Sequence, residues 1–533
     1  MVRFLAKFGG SSFFLFRQPN GIVSQTFLIM QKSLLSLFTL LPLCGVAQTE
    51  KPNVILLVAD DLGYGDLSCY GATRVQTPAV DSLATAGIRF TNMHACASTS
   101  TPSRYAMLTG EYPFRRPGTD VAAGNAGMII KPQRVTVADL MQRGGYATAA
   151  IGKWHLGLGS RTAEQNWNGE IDQTPADLGF DYHYIMAATA DRVPCVYIEN
   201  GRVADYDPSA PIEVSYRSNF PGEPTGRTHP ELLTKLKPSH GHDQSIVNGI
   251  SRIGFMKGGG KALWRDEDIA DSILSHAVKF IDSHRRSPFF MYLCTNDVHV
   301  PRYPHERFRG KSPMGLRGEA ILQFDWCVSQ LMQALRERGL DKNTLILITS
   351  DNGPVLDDGY QDRAEELAGS HRPGGPLRGG KYGAYEAGAQ VPFIAYWPQG
   401  IRGGKVSDAL CSQIDIPTTL AALAGVTPAE GEVIDSENHL STWTGKDEDA
   451  RDFAVCMTSN RSLTLRTQHY KYIAPSNGSP MITWGPKIET GYKAVPQIFD
   501  LSKSSYEEHN IAPQRPKLLK RMQKMLGEIR SGK

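Results

Sequence analysis

The sequence predicts an α/β protein: a large central β-sheet sandwiched by helices, followed by a smaller C-terminal antiparallel sheet and a helix. The first observation is that apolar runs of strand length alternate with amphipathic segments from residue 54 onward. The second is a change near residue 446, beyond which short segments alternate apolar and polar residues. The composition agrees, since 41% hydrophobic and 21% charged residues in a chain of 533 are typical of a globular protein with a sizeable core.

The elements are predicted in the following order. Thr77 and Pro78 are typical of a helix cap and first turn, and this helix is expected to end at Gly87. Apolar residues at helical spacing predict two longer helices over 266–284 and 319–338. Apolar runs bounded by turn residues predict five strands of the central sheet, over 54–59, 146–151, 288–293, 345–349 and 391–397. Residues 463–473 and 494–500 predict the small sheet, and 515–530 predict the terminal helix.

Residues 1–47 are a leader that contains a predicted secretory signal peptide. Met30 to Lys32 open a short basic region, a mostly apolar stretch runs from 33 to 43, and Ala47 offers a small residue for cleavage. The apolar stretch is too short to span a membrane and contains Pro42. Because the signal-peptide pattern begins at Met30, this methionine is the expected true start. The mature protein is expected to be periplasmic or secreted, with no integral membrane segment after cleavage.

Two further regions follow the leader. Residues 48–446 are predicted to form a large N-terminal domain that carries the candidate site residues, and residues 447–533 a C-terminal subdomain. Residues 156–262 are rich in Pro, Gly and Ser, which is typical of a long insertion or loop system. The formal net charge of +3 owes much to the basic leader, so the composition predicts no nucleic-acid partner. The eight cysteines form no CxxC pair, which indicates neither a zinc site nor a disulfide framework.

Charged residues follow four of the predicted strands. A single acidic residue after a strand often caps the next helix, but four strands that deliver charged groups to one sheet edge favour a functional site. These residues are Asp60 and Asp61, Lys153 and His155, Asp297 and His299, and Asp351 and Asn352. Asp60, Asp61, Asp351 and Asn352 together offer carboxylate and amide oxygens, which suit calcium or magnesium better than zinc.

The segment from Ser100 to Gly110 carries the most specific pattern, because Ser-Thr-Pro-Ser-Arg leads into Leu-Thr-Gly. Here the chain resembles the sulfatase family, whose signature is Cys or Ser, then x-Pro-x-Arg, then Leu-Thr-Gly. Pro102 suits the first turn of a helix, and a helix N-terminus presents free NH groups to an anion. As a bare string, Ser-x-Pro-Ser-Arg also fits an ordinary helix cap.

Further matches to the family span nearly all of the exported chain. They begin with Asn53-Val54-Ile55 and Asp60 to Asp66 and continue with Gly152-Lys153-Trp154-His155-Leu156-Gly157, His299-Val300-Pro301, Ser350-Asp351-Asn352-Gly353, Leu377 to Lys381 and Tyr385-Glu386, and they end with Gln497 to Leu501 and Glu508-His509-Asn510. The resemblance implies a sulfuric ester hydrolase with a large mixed sheet of the alkaline-phosphatase-like kind, in which residues 48–446 form the catalytic sulfatase domain.

The resemblance also implies a role for each matching residue. Oxidation of Ser100 by a maturase would give formylglycine, whose hydrated form is the nucleophile. One calcium ion would be bound by Asp60, Asp61, Asp351 and Asn352 together with the modified Ser100. The catalytic set implied is Ser100, Arg104, Lys153, His155, His299 and Lys381. Their cations would stabilise the negative charge that a sulfate ester gathers as its S–O bond breaks.

Ser100 in place of the commoner cysteine implies an anaerobic radical maturase as a partner. A serine introduced in place of a native cysteine fits the sequence equally well. After Glu386, family members commonly have Gly-Gly-x-Arg-Val-Pro, whereas this chain has Gln390 at the position of the arginine. That difference removes one cation but leaves the implied catalytic set intact.

Two other functions remain open at this point. A phosphatase or phosphodiesterase of the same superfamily would use Ser100 directly, but such enzymes usually have Asp-His where this chain has Asp351-Asn352. A non-catalytic protein that binds sulfated glycans is the second alternative, if Ser100 stays unmodified. Turnover would separate the second alternative from a sulfatase, and one calcium rather than two zincs would separate the first.

The expected substrate is a sulfated carbohydrate from a host or algal glycan, because exported bacterial relatives mostly act on carbohydrates. Loop residues with hydrogen-bonding side chains are the substrate-binding candidates, although an ordinary loop position explains each of them equally well. They are His183, Asp191, Arg192, His242 and Arg372. The sequence does not specify which sugar or which sulfate position is recognised.

Overall fold

The computed structural model describes residues 51–532, so the leader and its predicted signal peptide lie outside the described residues. The residues from 51 onward form one compact unit. No helix between residues 51 and 532 is long and apolar enough to cross a membrane.

An 11-stranded mixed sheet forms the centre of the fold. The strands are β1 Asn53–Ala59, β2 Ile88–His94, β3 Ala147–Lys153, β4 Tyr182–Met186, β5 Tyr197–Glu199, β6 Arg202–Val203, β7 Glu213–Ser215, β8 Ile246–Val247, β9 Ile250–Ser251, β10 Phe255–Lys257, β11 Phe289–Cys294, β12 Thr344–Ser350, β13 Gln390–Tyr396, β14 Lys405–Ser407, β15 Cys411–Ser412, β16 Ala454–Met457, β17 Leu463–Arg466, β18 Tyr470–Ile473 and β19 Gln497–Asp500. The order in the central sheet is β14-β2-β13-β12-β1-β11-β3-β4-β5-β6, and β15 also pairs with β2.

Helices cover this sheet in two groups. The helices are α1 Pro78–Ala86, α2 Ser100–Thr109, α3 Val137–Arg143, α4 Ile269–Ser283, α5 Gly315–Glu337, α6 Ala364–Ala368, α7 Ile416–Ala424, α8 Leu440–Trp443 and α9 Pro516–Ser531. Helix α5 packs against α1 and α4, whereas α2, α3 and α7 pack against one another. The predicted fold class, a large central sheet sandwiched by helices, is therefore confirmed.

All five predicted strands of the central sheet are present, shifted by one or two residues at their ends. Their side chains are buried along the whole length of β1, β11, β12 and β13, which explains why they read as continuous apolar runs. The predicted helices over 266–284 and 319–338 correspond to α4 and α5. Strand β2 was not predicted, because Arg89, Thr91 and Asn92 interrupt its apolar pattern.

The insertion 156–262 contains more regular structure than a loop system. Strand β4 pairs in parallel with β3, and β5 and β6 extend the same sheet in antiparallel fashion. Strands β7 to β10 form two small antiparallel pairs. The Pro, Gly and Ser residues do separate these strands. Each strand is only two to five residues long, however, so it leaves a weak sequence pattern.

The predicted C-terminal sheet is the four-stranded antiparallel sheet β16-β17-β18-β19, and α9 follows it. Met457, the last residue of its strand β16, forms a β-bridge with Ala97, just before α2. Buried Met522, Leu526 and Ile529 of α9 pack into the core beneath this sheet. The C-terminal residues are thus connected directly to the segment that leads into Ser100. The boundary at residue 446 stays a prediction.

Candidate active site

Four neighbouring parallel strands bring the predicted site residues to one edge of the sheet. Ala59 of β1 pairs with Ser350 of β12, so that Asp60 and Asp351 both come directly after the paired residues. On the other side of β1, Val58 pairs with Cys294 of β11, and Cys294 pairs with Gly152 of β3. Because parallel strands end at the same edge, their next residues meet there.

Ser100 is the first residue of α2, and all ten residues of that helix are buried. Thr99 before it is extended, and its side chain makes no capping hydrogen bond. The first NH groups of the helix and its positive dipole end are therefore available to an anion beside Ser100. The helix ends at Thr109. Gly110 follows it with a φ of 60°, the left-handed conformation that favours glycine.

Lys153 connects Ser100 to the acidic residues. Its Nζ donates a hydrogen bond of 3.0 Å to the Ser100 Oγ and lies 2.6 Å from both carboxylate oxygens of Asp60. The Ser100 Oγ also donates to the Oδ1 of Asn352, at 3.2 Å. The reactive position is thus held between an ammonium group and an amide.

Arg104, one turn after Ser100, pairs with Asp351. Its Nε donates to the Asp351 Oδ2 at 2.9 Å, its Nη2 lies 2.8 Å from the same oxygen, and both side chains are fully buried. Burial by itself would raise the pKa of Asp351, but Arg104 and Lys153 hold it below its usual range. Asp351 is therefore a carboxylate, with Arg104 oriented by it.

Lys381 pairs with two further acidic residues, Asp61 and Asp358. Its Nζ donates to the Asp61 Oδ2 and to the Asp358 Oδ2, each at 2.8 Å. Burial alone would lower the pKa of Lys381, but the two carboxylates raise it above its usual range. Lys381 is therefore a charged group in a wall of the site.

His299 contacts Lys381 from the loop after β11. The Nδ1 of His299 lies 2.6 Å from the Val300 carbonyl oxygen, to which only an N–H can donate. The Nε2 then accepts from Lys381 Nζ, at 3.3 Å. Burial, together with Lys381 and Lys153, lowers the pKa of His299, so the ring is neutral. Asp297 points elsewhere, since its carboxylate accepts from Gln323 of α5.

His155 is the second buried imidazole at the site. Its Nε2 donates to the Ala122 carbonyl oxygen at 3.0 Å, and its Nδ1 has no hydrogen-bond partner within residues 51–532. Burial lowers the pKa of His155 strongly, and the charges of Lys153 and Arg192 add to the effect. A neutral ring with a free Nδ1 can accept a proton from a group next to it.

The predicted calcium ligands lie close to one another at this sheet edge, and His299, which was not among the predicted ligands, lies beside two of them. Ligand atoms of Asp60, Asp61 and His299 lie within 4.8 Å of one another. Asn352 lies between Asp61 and Ser100, with its Nδ2 donating to the Asp61 Oδ1 at 2.8 Å. The Asp351 Oδ1 accepts from the Asp61 NH at 3.3 Å. A donor set of buried carboxylates and an amide oxygen fits a hard cation such as calcium.

A pocket of about 220 Å³ opens next to Ser100. Ser100, His155, His299 and Lys381 line it together with Asp191, Arg192 and His242, three of the predicted substrate-binding residues. The Asp191 Oδ2 lies 3.0 Å from the His242 Nε2 and 2.9 Å from the Arg192 Nη1, so the three side chains form one network.

The other two substrate-binding candidates lie elsewhere. The His183 side chain is buried next to β5, and its Nε2 accepts from the Gly201 NH at 2.8 Å. Arg372 is exposed, and its carbonyl oxygen closes a turn with the Gly375 NH. Neither lines the pocket around Ser100. Sequence reasoning could not separate them from the other three, because they too are polar residues of loops or short strands.

Sequence reasoning missed several residues of the pocket wall, among them Asp358, Tyr382 and Trp484. The carboxylate of Asp358 accepts from Lys381 and also from the hydroxyl of Tyr382, at 2.9 and 3.0 Å. Asp358 comes seven residues after Asp351, in a loop with no strand pattern. For Tyr382, the sequence offered one signal, namely that it directly follows Lys381.

Glu386 lies shortly before Gln390, the residue that stands where family members commonly have arginine, and it pairs with two cations of the C-terminal sheet. Glu386 is buried, and its carboxylate lies 2.5 Å from Lys471 and 3.2 Å from Arg466, both in the C-terminal sheet. The Gln390 Nε2 instead donates to the Thr91 carbonyl oxygen at 2.8 Å. The C-terminal sheet thus neutralises the acidic residue that precedes β13.

Comparison with known proteins agrees with this geometry. The sequence model of the sulfatase family matches residues 52–426. An N-acetylgalactosamine-6-O-sulfatase of Bacteroides thetaiotaomicron is 49% identical over 483 residues, which are 91% of this chain and 94% of that protein. Human arylsulfatase D is 32% identical over 444 residues, which are 76% of this chain and 71% of that protein.

A solved structure, from work on the metabolism of multiple glycosaminoglycans by Bacteroides thetaiotaomicron, is similar over the whole fold. It has a TM-score of 0.89 and 48% sequence identity, and the match covers 91% of this chain and 100% of that one. Family, fold and the arrangement around Ser100 therefore agree. The chain belongs to the sulfatase family and is a sulfuric ester hydrolase.

Proposed function

We propose that this enzyme hydrolyses the 6-O-sulfate ester of N-acetylgalactosamine in sulfated glycans. The observation that carries the proposal is the position of Ser100: it starts a buried helix in the wall of a pocket, in contact with Lys153 and Asn352. The choice of sugar and sulfate position is supported by the 49% identity to an N-acetylgalactosamine-6-O-sulfatase over nearly its full length.

The cations in and beneath the pocket suit a sulfate ester. Negative charge develops on the bridging oxygen as the S–O bond breaks, and preorganised cations stabilise that charge without rearrangement. Lys153 and Lys381 are fixed by Asp60, Asp61 and Asp358, and Arg104 is fixed by Asp351. The sulfate group would lie between the two lysines, next to the N-terminus of α2.

His299 and Lys381 would hold a proton at the leaving oxygen of the sugar. The Nε2 of His299 already accepts from Lys381, so a proton can be shared between the two groups. An anionic ester bound beside them would raise the pKa of His299 again. His155, with its free Nδ1, would accept a proton from the group at position 100 once the sugar has left.

We also propose a calcium ion and a modified Ser100. Asp60, Asp61, Asp351 and Asn352 would bind the calcium, which would add a positive charge beside the sulfate oxygens. An anaerobic-type maturase would oxidise Ser100 to formylglycine, which would supply the nucleophilic hydroxyl of the reaction. A plain serine would instead be left with a stable sulfate ester.

We also propose the residues that contact the sugar, the export of the protein and the bounds of its catalytic domain. The pocket is lined by Asp191, Arg192 and His242. Their side chains would donate hydrogen bonds to sugar hydroxyls and accept hydrogen bonds from them. The protein would be exported by means of the signal peptide in residues 1–47, which suits an enzyme that meets glycans outside the cell. The catalytic domain would span residues 48–446, with residues 447–533 as its C-terminal subdomain.

The test combines mass spectrometry with a substrate panel. The protein is produced with and without an anaerobic maturase, and the mass of the peptide that contains Ser100 is measured. We expect a loss of two hydrogens with the maturase, together with release of sulfate from 6-sulfated N-acetylgalactosamine. Modified enzyme that leaves this sugar intact but cleaves another would contradict the substrate. Turnover by unmodified Ser100 would contradict the role of formylglycine.

A further inference from the structure

The C-terminal subdomain contributes an exposed aromatic side chain to the mouth of the active-site pocket. Trp484 is 51% exposed, lines the pocket and is separated by more than 300 residues from Ser100 in the same wall. Large aromatic side chains are usually buried, and those left exposed in a concave surface often mark a ligand-binding position. Trp484 has no role in the sulfate chemistry proposed above.

Trp484 is at the tip of a hairpin that is fixed at its base. The Thr490 NH donates to the Pro480 carbonyl oxygen and the Ile482 NH to the Ile488 carbonyl oxygen, each at 3.0 Å. Arg378 donates to Glu489 at 2.6 Å. The hairpin therefore presents the indole in a defined place rather than on a free loop.

The tip of the hairpin fits closely against the insertion. A Cβ atom on Gly485 would lie 2.1 Å from the His240 ring, which itself lines the pocket. A side chain at position 485 would require either the His240 ring or the hairpin tip to move. The hairpin tip therefore packs directly against His240, a residue of the pocket wall.

The ring of Tyr382 also contacts the indole of Trp484. The two ring centres are 5.3 Å apart with an angle of 79° between the planes, so Tyr382 leaves at least one face of Trp484 uncovered. Tyr382 itself is held firmly, because its carbonyl oxygen accepts from the hydroxyls of Tyr492 and Ser459 at 2.9 and 3.0 Å. The aromatic pair is therefore in place before any ligand binds.

The same pair connects the mouth to the base of the pocket. The Lys381 Nζ lies 5.1 Å from the centre of the Tyr382 ring, so that ring is adjacent both to Lys381 and to Trp484. A sugar whose sulfate contacts Lys381 would extend from there toward the mouth. The C–H groups of a pyranose form an apolar face, which packs well on an uncovered indole.

We propose that Trp484 is a specificity-determining residue that stacks on the sugar ring carrying the sulfate. The proposal rests on the proposed function for the class of substrate, a sulfated sugar, but not on its maturation or turnover. The charged base of the pocket would recognise the sulfate. The indole would favour sulfate esters of a pyranose over sulfate esters of other alcohols. The C-terminal subdomain would thereby contribute directly to substrate choice.

Calorimetry on the protein with unmodified Ser100 tests this without any turnover. The ligands are 6-sulfated N-acetylgalactosamine and, as a probe that lacks the sugar, inorganic sulfate. We expect Trp484→Ala to weaken binding of the sugar about tenfold and to leave sulfate affinity unchanged. Trp484→Phe, which keeps a ring, should recover part of the loss.

Met481→Ala is the matched control, because Met481 is in the same hairpin and 40% exposed but does not line the pocket. It should bind both ligands as the wild type does. Equal sugar affinity of wild type and Trp484→Ala would overturn the stacking role alone. Equal losses for sugar and sulfate would overturn it too, since the variant would then have disturbed the base. A wild type that binds inorganic sulfate but not this sugar would overturn the proposed substrate, and with it the stacking of Trp484 on that sugar.

Discussion

Lys153 donates a hydrogen bond of 3.0 Å to the hydroxyl of Ser100 while it pairs with Asp60. Lys153 ends β3 and Ser100 begins α2, so the contact joins a sheet edge to a helix N-terminus. Two positive features, an ammonium group and a helix dipole, thus meet at the reactive residue. Their joint effect is to favour an anion there, which is what a sulfate ester requires.

Lys381→Ala should lower kcat/KM for the sulfated sugar by about 10²–10³-fold, because it removes a fixed cation that faces the developing negative charge. Inhibition by inorganic sulfate should weaken as well. Steady-state kinetics on the matured enzyme measure both effects. Lys503→Ala serves as control, since Lys503 is 76% exposed and pairs only with Asp500 of β19. Wild-type kinetics in Lys381→Ala would remove this lysine from the catalytic set.

Asp351→Asn should destabilise the protein by about 3–5 kcal/mol, because it leaves Arg104 as an unpaired charge in the interior. Both side chains of this pair are fully buried. Urea denaturation of the unmodified protein measures the change in the free energy of unfolding. Glu170→Gln breaks the exposed pair with Arg202 and should change that free energy by less than about 1 kcal/mol. Similar changes in both variants would contradict the burial argument.

The His183 ring should make stability depend on pH in a defined direction. Burial lowers the pKa of His183 to about 4, whereas an unfolded histidine titrates near 6.5. Below about pH 6.5 the unfolded chain binds a proton that the folded chain does not, so this stabilising contribution is complete above pH 6.5 and is lost as the pH falls toward 4. The Nε2 that accepts from Gly201 explains why the folded ring stays neutral.

The cost of His183→Gln to the free energy of unfolding should consequently be about 2 kcal/mol smaller at pH 5 than at pH 7. Urea denaturation of wild type and variant at the two pH values gives this difference. His509→Gln, at a side chain that is 88% exposed, serves as the surface control and should change the free energy of unfolding at pH 7 by less than about 1 kcal/mol. A cost that is equal at both pH values would mean that His183 is protonated alike in folded and unfolded protein.

Calcium should stabilise protein from which metal has been removed with a chelator. Added at a hundredfold excess over its Kd, it should raise the free energy of unfolding by about 2.7 kcal/mol, because it binds the folded form alone. Thermal unfolding with and without calcium measures the effect. Asp61→Asn should lose most of the gain, since Asp61 is one of the clustered ligands. A larger effect of zinc than of calcium would favour the two-zinc site of a phosphatase instead.

Much of the fold could be predicted because its central strands are buried on both faces. The runs that became β1, β11, β12 and β13 contain hardly any polar residue, so length and apolar character identify them. Strand β2 escaped prediction, since it carries Arg89, Thr91 and Asn92. The short strands of the insertion escaped for a different reason, because two to five residues are too few to show a period.

The sequence by itself determined the sulfatase signature, the charged residues after four strands and the oxygen-rich donor set. These are local properties, written in residues next to one another or directly after an apolar run. Only the tertiary structure decided that Asp351 pairs with Arg104, that Asp191 and His242 line the pocket while His183 does not, and that Trp484 reaches the pocket mouth. Such contacts join residues tens to hundreds of positions apart, and sheet register and loop packing, which leave no local pattern, bring them together.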